Sequence, residues 1–193
     1  MLINKAVSLS ADAGETKKEL LFLLNSATLH APVCSPECEL HRDTGCDKNC
    51  GSAAELLSSE KGYPLEDKIT PLVFEIKRMG VFEPCWSCEG HLGLDGKLWK
   101  LPMIWFYAKS MVHIRVLSDA LKELHHNKTI LNEWVIAVTH SDADNPSTCL
   151  SLRPERVLEA QDLTSLHQDI KNMEENLVGV VRSVAQKLVN KLN

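Results

Sequence analysis

No stretch of this 193-residue chain approaches the ~18 consecutive apolar residues of a membrane-spanning helix. Near the N-terminus the only apolar run is Leu20 to Leu24, which follows acidic and basic residues and has no signal-peptide layout. The expected setting is therefore the cytoplasm, with no membrane partner. An excess of positive charge is also missing. The formal net charge is −5 and no basic patch is evident, so the charge pattern does not support binding to nucleic acid, whose phosphates reward clustered Lys and Arg. There is no phosphate-binding glycine loop, nucleophile elbow or HExxH sequence, and no internal repeat of solenoid length. What remains, with 44% hydrophobic and 24% charged residues, is enough for one ordinary globular domain with a small appended module.

Cysteine is the residue the chain does concentrate. The segment CSPECELHRDTGCDKNC places Cys34, Cys38, Cys46 and Cys50 around His41, in a stretch too polar to fold around a core of its own. Something other than hydrophobic burial must order it. Thiolates and an imidazole at this density are the donors that a borderline-soft ion prefers, and four of these five would complete a tetrahedral zinc shell. An iron-sulfur cluster fits less well, because neither common cluster spacing occurs and His41 interrupts a CxxxCxxC pattern. Paired disulfides across a helical hairpin are a third reading, weakened by Pro36 and Gly45. In a reducing compartment clustered cysteines point to metal or redox chemistry, and the total of seven leaves one unpaired in any full disulfide scheme.

Periodicity predicts the surrounding elements. A helix is expected over about residues 16–28, with Leu20, Leu21, Leu24 and Ala27 on one face. A polar connection through Ser58, Ser59 and Gly62 leads to a short helix with Thr70 as cap, Pro71 in the first turn and Gly80 as stop. Asp95-Gly96 marks a hairpin between strands over Cys85 to Leu92 and Leu98 to Ala108, and the apolar run Met103 to Tyr107 suggests a central strand covered on both faces. A helix from Met111 to His126, then strands over Glu133 to Thr139 and Thr148 to Leu152, complete a ββαββ core. The last segment reads as one long amphipathic helix beginning at Glu155 or Asp162. Its seam of Leu163, Leu166, Ile170, Met173, Leu177, Val180 and Val184 either packs on the sheet or forms a homodimer. The fold class is α+β, with a mainly antiparallel sheet of about four strands. Residues 1–62 form the helix and cysteine-rich part, 63–154 the core and 155–193 the terminal helix.

Two further constellations bear chemistry. CWSCEGH offers Cys85, Cys88 and His91 as a second metal site, or Cys85 and Cys88 as a dithiol redox pair. Strand alternation opposes a shared site unless the chain bulges, which Gly90 would permit. His140, Asp142 and Asp144 follow a buried strand, where they could join His91 around a metal-bound water in a hydrolase, or be an ordinary turn. Cys149 and His113 read as core residues, and His125 and His126 as solvent-facing. The string SCEGH, Ser87 to His91, followed by an apolar strand, resembles a motif in uncharacterised bacterial and phage proteins; that resemblance covers a few tens of residues and implies no activity. The sequence thus points to a zinc-binding protein of binding or regulatory type, with a metal-dependent hydrolase using His91, His140 and Asp142 as the alternative.

Overall fold

The computed structural model describes residues 13–26, 66–139, 148–155 and 162–192, and among these described residues four helices and a four-stranded antiparallel sheet build an α+β architecture. The five donors Cys34, Cys38, His41, Cys46 and Cys50, and the loop residues His140, Asp142 and Asp144, lie outside the described residues.

Helix α1 (Ala13–Ser26) buries Leu20 and Leu23, with Leu24 half-buried, whereas Leu21 faces solvent. The buried face therefore runs through i, i+3 and i+4, displaced from the expected one by a single residue. Helix α2 (Thr70–Arg78) starts one residue earlier than its Thr70 cap suggested: Ile69 is the cap, and the Thr70 hydroxyl donates to the Glu66 carbonyl at 2.8 Å. Gly80, at φ 70°, takes the left-handed conformation that ends it. Helix α3 (Met111–His126) is capped by the Ser110 hydroxyl, which accepts from the Val112 amide. Helix α4 (Leu163–Lys191) begins at Asp162, whose carboxylate accepts from the Thr164 amide.

The sheet order is β1 (Phe82–Cys88), β4 (Met103–Ala108), β6 (Leu150–Pro154) and β5 (Trp134–Val138). The expected hairpin forms, but each of its long strands is divided. Its upper part is a separate small ladder of β2 (His91–Leu92) with β3 (Leu98–Lys100), and the break before β4 falls at Pro102, which has no amide proton to give a ladder. The turn differs as well. Only Gly96 has positive φ, and Gly93 bonds both Gly96 and Lys97, so Leu94, Asp95 and Gly96 form a three-residue loop instead of a type I′ turn. Strand β4 is interior, but only Ile104 and Phe106 are buried. Met103, Trp105 and Tyr107 are half-exposed, so one face is covered where two were expected.

Helix α4 packs chiefly on α1, α2 and α3, rather than on the sheet. Of the expected seam, Leu166, Ile170, Met173, Leu177 and Val184 are buried there, and Leu163 and Val180 are half-buried. One continuous apolar cluster joins Leu20 of α1, Phe106 of the sheet and Leu177 of α4, and thus spans all three expected parts.

Among the described residues, two polar side chains, Asp169 and His113, are completely buried in this core. Asp169 is fully buried on α4, and its carboxylate accepts from the Leu131 and Asn132 amides at 2.7 and 2.9 Å, the Asn132 side chain at 2.8 Å and the Trp134 indole at 3.1 Å. This clamp fixes the approach to β5 against α4. Asp169→Ala strands these donors and is expected to cost about 3–5 kcal/mol in denaturant unfolding; a loss below about 1 kcal/mol would show that the clamp contributes little. His113, equally buried, has its ring Nε2 3.1 Å from the Glu19 carbonyl, and burial pushes its pKa below 6.5 despite that contact. A depressed histidine pKa favours the fold fully above the unfolded value and loses that contribution as pH falls from 6.5 toward the folded pKa. Stability should therefore decline there with a slope of at most about 1.4 kcal/mol per pH unit from this group, and His113→Gln should flatten that part of the profile.

Candidate metal centre

Glu66 stands just ahead of α2, and its backbone fixes it there. The Glu66 carbonyl accepts from the Ile69 and Thr70 amides as well as from the Thr70 hydroxyl, so the first turn of the helix closes on this residue. Its side chain reaches across to the end of β1. Oε2 accepts from the Glu89 amide at 2.5 Å, and Oε1 lies 2.9 Å from His91 Nε2.

The chain between β1 and β2 supplies the other two donors. Cys88 ends β1 and His91 opens β2, and between them the backbone turns at Gly90 with φ 89°. Glycine is required there on two grounds. The left-handed conformation disfavours any Cβ, and one built at Gly90 would lie 2.8 Å from Pro102 Cδ and 2.9 Å from Leu163 Cδ1. The turn breaks strand alternation, so that Cys88 and His91 converge where a continuous strand would direct the chain differently. Glu89 secures it from outside: its carbonyl is 2.8 Å from His167 Nε2 on α4, and its carboxylate accepts from the Lys68 amide at 2.9 Å.

The donor atoms of Glu66, Cys88 and His91 all lie within 4.8 Å of one another, the one such group of three among the described residues. They offer one carboxylate oxygen, one thiol sulfur and one imidazole nitrogen. Nitrogen and oxygen ligands about 2.0–2.1 Å from a tetrahedral ion stand about 3.3–3.4 Å apart, so the 2.9 Å between Oε1 and Nε2 needs only a slight opening to admit one. The donor set fits a borderline-soft divalent ion and leaves one tetrahedral position for water or an incoming ligand. Burial is the main cause that raises the Cys88 thiol pKa, with the Glu66 carboxylate adding to it; the Gly90 amide, 3.4 Å from the sulfur, and the Lys100 ammonium act the other way. Without an ion the cysteine is thus a thiol beside a carboxylate. Around the group stand the His91–Trp99 ring contact and the Lys100 ammonium, 4.6 Å from the Trp86 ring centroid.

The structure brings Cys88 and His91 together as the CWSCEGH spacing suggested, and adds Glu66, which the sequence reading missed. Cys85 is not in the group: its sulfur lies 3.9 Å from that of Cys149. The strand that leads to His140 runs elsewhere. Thr139, the last described residue before it, pairs with Cys149, while Cys88 pairs with Met103. Four residues along the strands and three ladders across them put Thr139 roughly 20 Å from Cys88. No local signal marks Glu66, which lies 23 residues before Glu89; only the folding of α2 beside β1 unites them. Comparison with protein-family models, curated proteins and solved structures finds no match.

Gly90→Ala tests the turn. Left-handed strain and the contacts with Pro102 and Leu163 should together cost about 2–4 kcal/mol in denaturant unfolding, and unchanged stability would show that the turn relaxes freely.

Proposed function

We propose that the protein is a zinc-binding protein of binding or regulatory type. In this reading Glu66, Cys88 and His91 hold one ion beside the SCEGH hairpin, and four of Cys34, Cys38, His41, Cys46 and Cys50 hold a second, structural ion. The observation that carries it is the convergence of a carboxylate, a thiol and an imidazole from two separate parts of the chain. Zinc is favoured over magnesium or calcium because the latter take oxygen ligands, whereas this group offers sulfur and nitrogen. When bound, the ion would supply a Lewis-acidic centre with one open position.

The protein's own residues define the rest. The Glu89 amide orients the Glu66 carboxylate, and the Gly90 amide points at the Cys88 sulfur, so that two of the three donors are held by backbone. Cys88 must yield its proton to become a ligand, which makes binding stronger as pH rises. The flanking hairpin exposes Leu92 and Trp99, at 52% and 74%, next to His91. Apolar side chains standing free beside a ligand-accepting centre suit a surface that docks a partner. A hydrolase built on His91, His140 and Asp142 gains no support from the ladder, which carries Thr139 away from Cys88.

Elemental analysis of protein purified without chelators tests the proposal. About two zinc ions per chain are expected, falling to about one in Cys88→Ser and in His91→Ala, and saturating zinc at 100 times Kd should stabilise the fold by about 2.7 kcal/mol per site. Less than about half an ion per chain, with the cysteine thiols freely titratable, would overturn it. A stoichiometry unchanged by both substitutions would remove the Glu66, Cys88 and His91 site.

A further inference from the structure

Cys85 and Cys149 belong to parts of the sheet that do not adjoin, because β4 lies between β1 and β6. Their sulfur atoms nevertheless stand 3.9 Å apart. A bulge in β1 and the start of β6 flank this approach. In β1 the register passes from Pro84 opposite Phe106 directly to Trp86 opposite Trp105, so Cys85 is the extra residue of a bulge. Cys149 immediately precedes β6, and its carbonyl accepts from the Thr139 amide at 3.0 Å. A disulfide holds its sulfurs at about 2.0 Å, so the pair must close by about 1.9 Å, a movement that a bulge and a strand end accommodate better than two regular strands. The two thiols also differ in access: Cys85 is half-exposed and Cys149 buried.

We propose that Cys85 and Cys149 form a reversible dithiol–disulfide pair, oxidised by low-molecular-weight disulfides such as oxidised glutathione, and that the bond straps β1 to β6 across β4. The thiolate of Cys85, the more accessible of the two, attacks one sulfur of oxidised glutathione. That S–S bond breaks, a protein–glutathione S–S bond forms, and the departing glutathione thiolate takes up a proton in place of the one Cys85 released. The Cys149 thiolate then attacks the Cys85 sulfur and expels the second glutathione, which takes up the proton equivalent to that lost from Cys149. Two protein thiols are oxidised by two electrons, and one glutathione disulfide is reduced to two thiols. Cys88 is not the partner here, because its thiol faces Glu66 and the Gly90 amide. The pair is independent of the metal-binding reading, since neither sulfur belongs to the Glu66, Cys88 and His91 group.

The test equilibrates the full chain in glutathione buffers of graded ratio, blocks the remaining thiols by alkylation, and maps peptides without reduction. The expected result is a Cys85–Cys149 linked peptide whose occupancy rises with the oxidised fraction through one midpoint and is lost on adding dithiothreitol. Cys149→Ser should trap Cys85 as the glutathione mixed disulfide, and Cys85→Ser should leave Cys149 unmodified, with circular dichroism establishing that both variants fold. A Cys85 that stays glutathionylated in the unsubstituted chain, or that links to Cys88 or to another cysteine, overturns the proposal; because that result comes from the unsubstituted protein, it holds even where a variant does not fold.

Discussion

The turn at Glu89 and Gly90 is the constraint on which the site depends. Four parts of the molecule meet there. The Glu89 amide holds the Glu66 side chain ahead of α2, the Glu89 carbonyl meets His167 of α4, and the missing Cβ of Gly90 leaves room for Pro102 and Leu163. A left-handed glycine pressed on both sides has little freedom, so Cys88 before it and His91 after it are held in fixed relation. The donor group therefore follows from backbone geometry and from the docking of α4 and α2, rather than from a flexible loop that an ion must gather.

That arrangement explains why the sheet and helices are built as they are around it. Helix α4 is long because it serves two ends: its middle buries an apolar stripe on α1, α2 and α3, while its first turns bring Leu163 and His167 to the turn and Asp169 to the approach of β5. The apolar cluster supplies most of the favourable burial, and the polar contacts of Asp169 and Glu89 determine how the helix is placed. Burial of a carboxylate such as Asp169 is tolerable only because backbone and side-chain donors surround it.

Much of this fold was legible in the sequence. Helix α3, the Asp162 start of α4, the Gly80 stop and the antiparallel strands follow from capping residues and periodicity, which act within a few positions along the chain. Errors arose where tertiary contacts decide. Leu21 belongs to an apolar run but faces solvent because α1 turns Leu20 and Leu23 inward, and the heptad stripe of α4 packs chiefly on three helices of its own chain rather than on the sheet. Pro102 was the local signal that the second hairpin strand would divide. For the site, Cys88, Gly90 and His91 were visible as a short motif, but Glu66 was not, since nothing near it in sequence refers to a cysteine brought close only by folding. Cys149 is buried, as a lone cysteine on a strand is expected to be, while its approach to Cys85 across an intervening strand has no linear signature.

The central claim is that Glu66, Cys88 and His91 form a metal site distinct from the cysteine-rich segment. X-ray absorption at the zinc edge, on zinc-loaded protein with Cys34, Cys38, Cys46 and Cys50 replaced by serine, addresses it most directly. The account expects retained zinc with a single sulfur at about 2.3 Å and nitrogen or oxygen ligands at about 2.0–2.2 Å, the sulfur disappearing when Cys88→Ser is added. A folded protein that holds no zinc, or a shell whose sulfur survives Cys88→Ser, would contradict it.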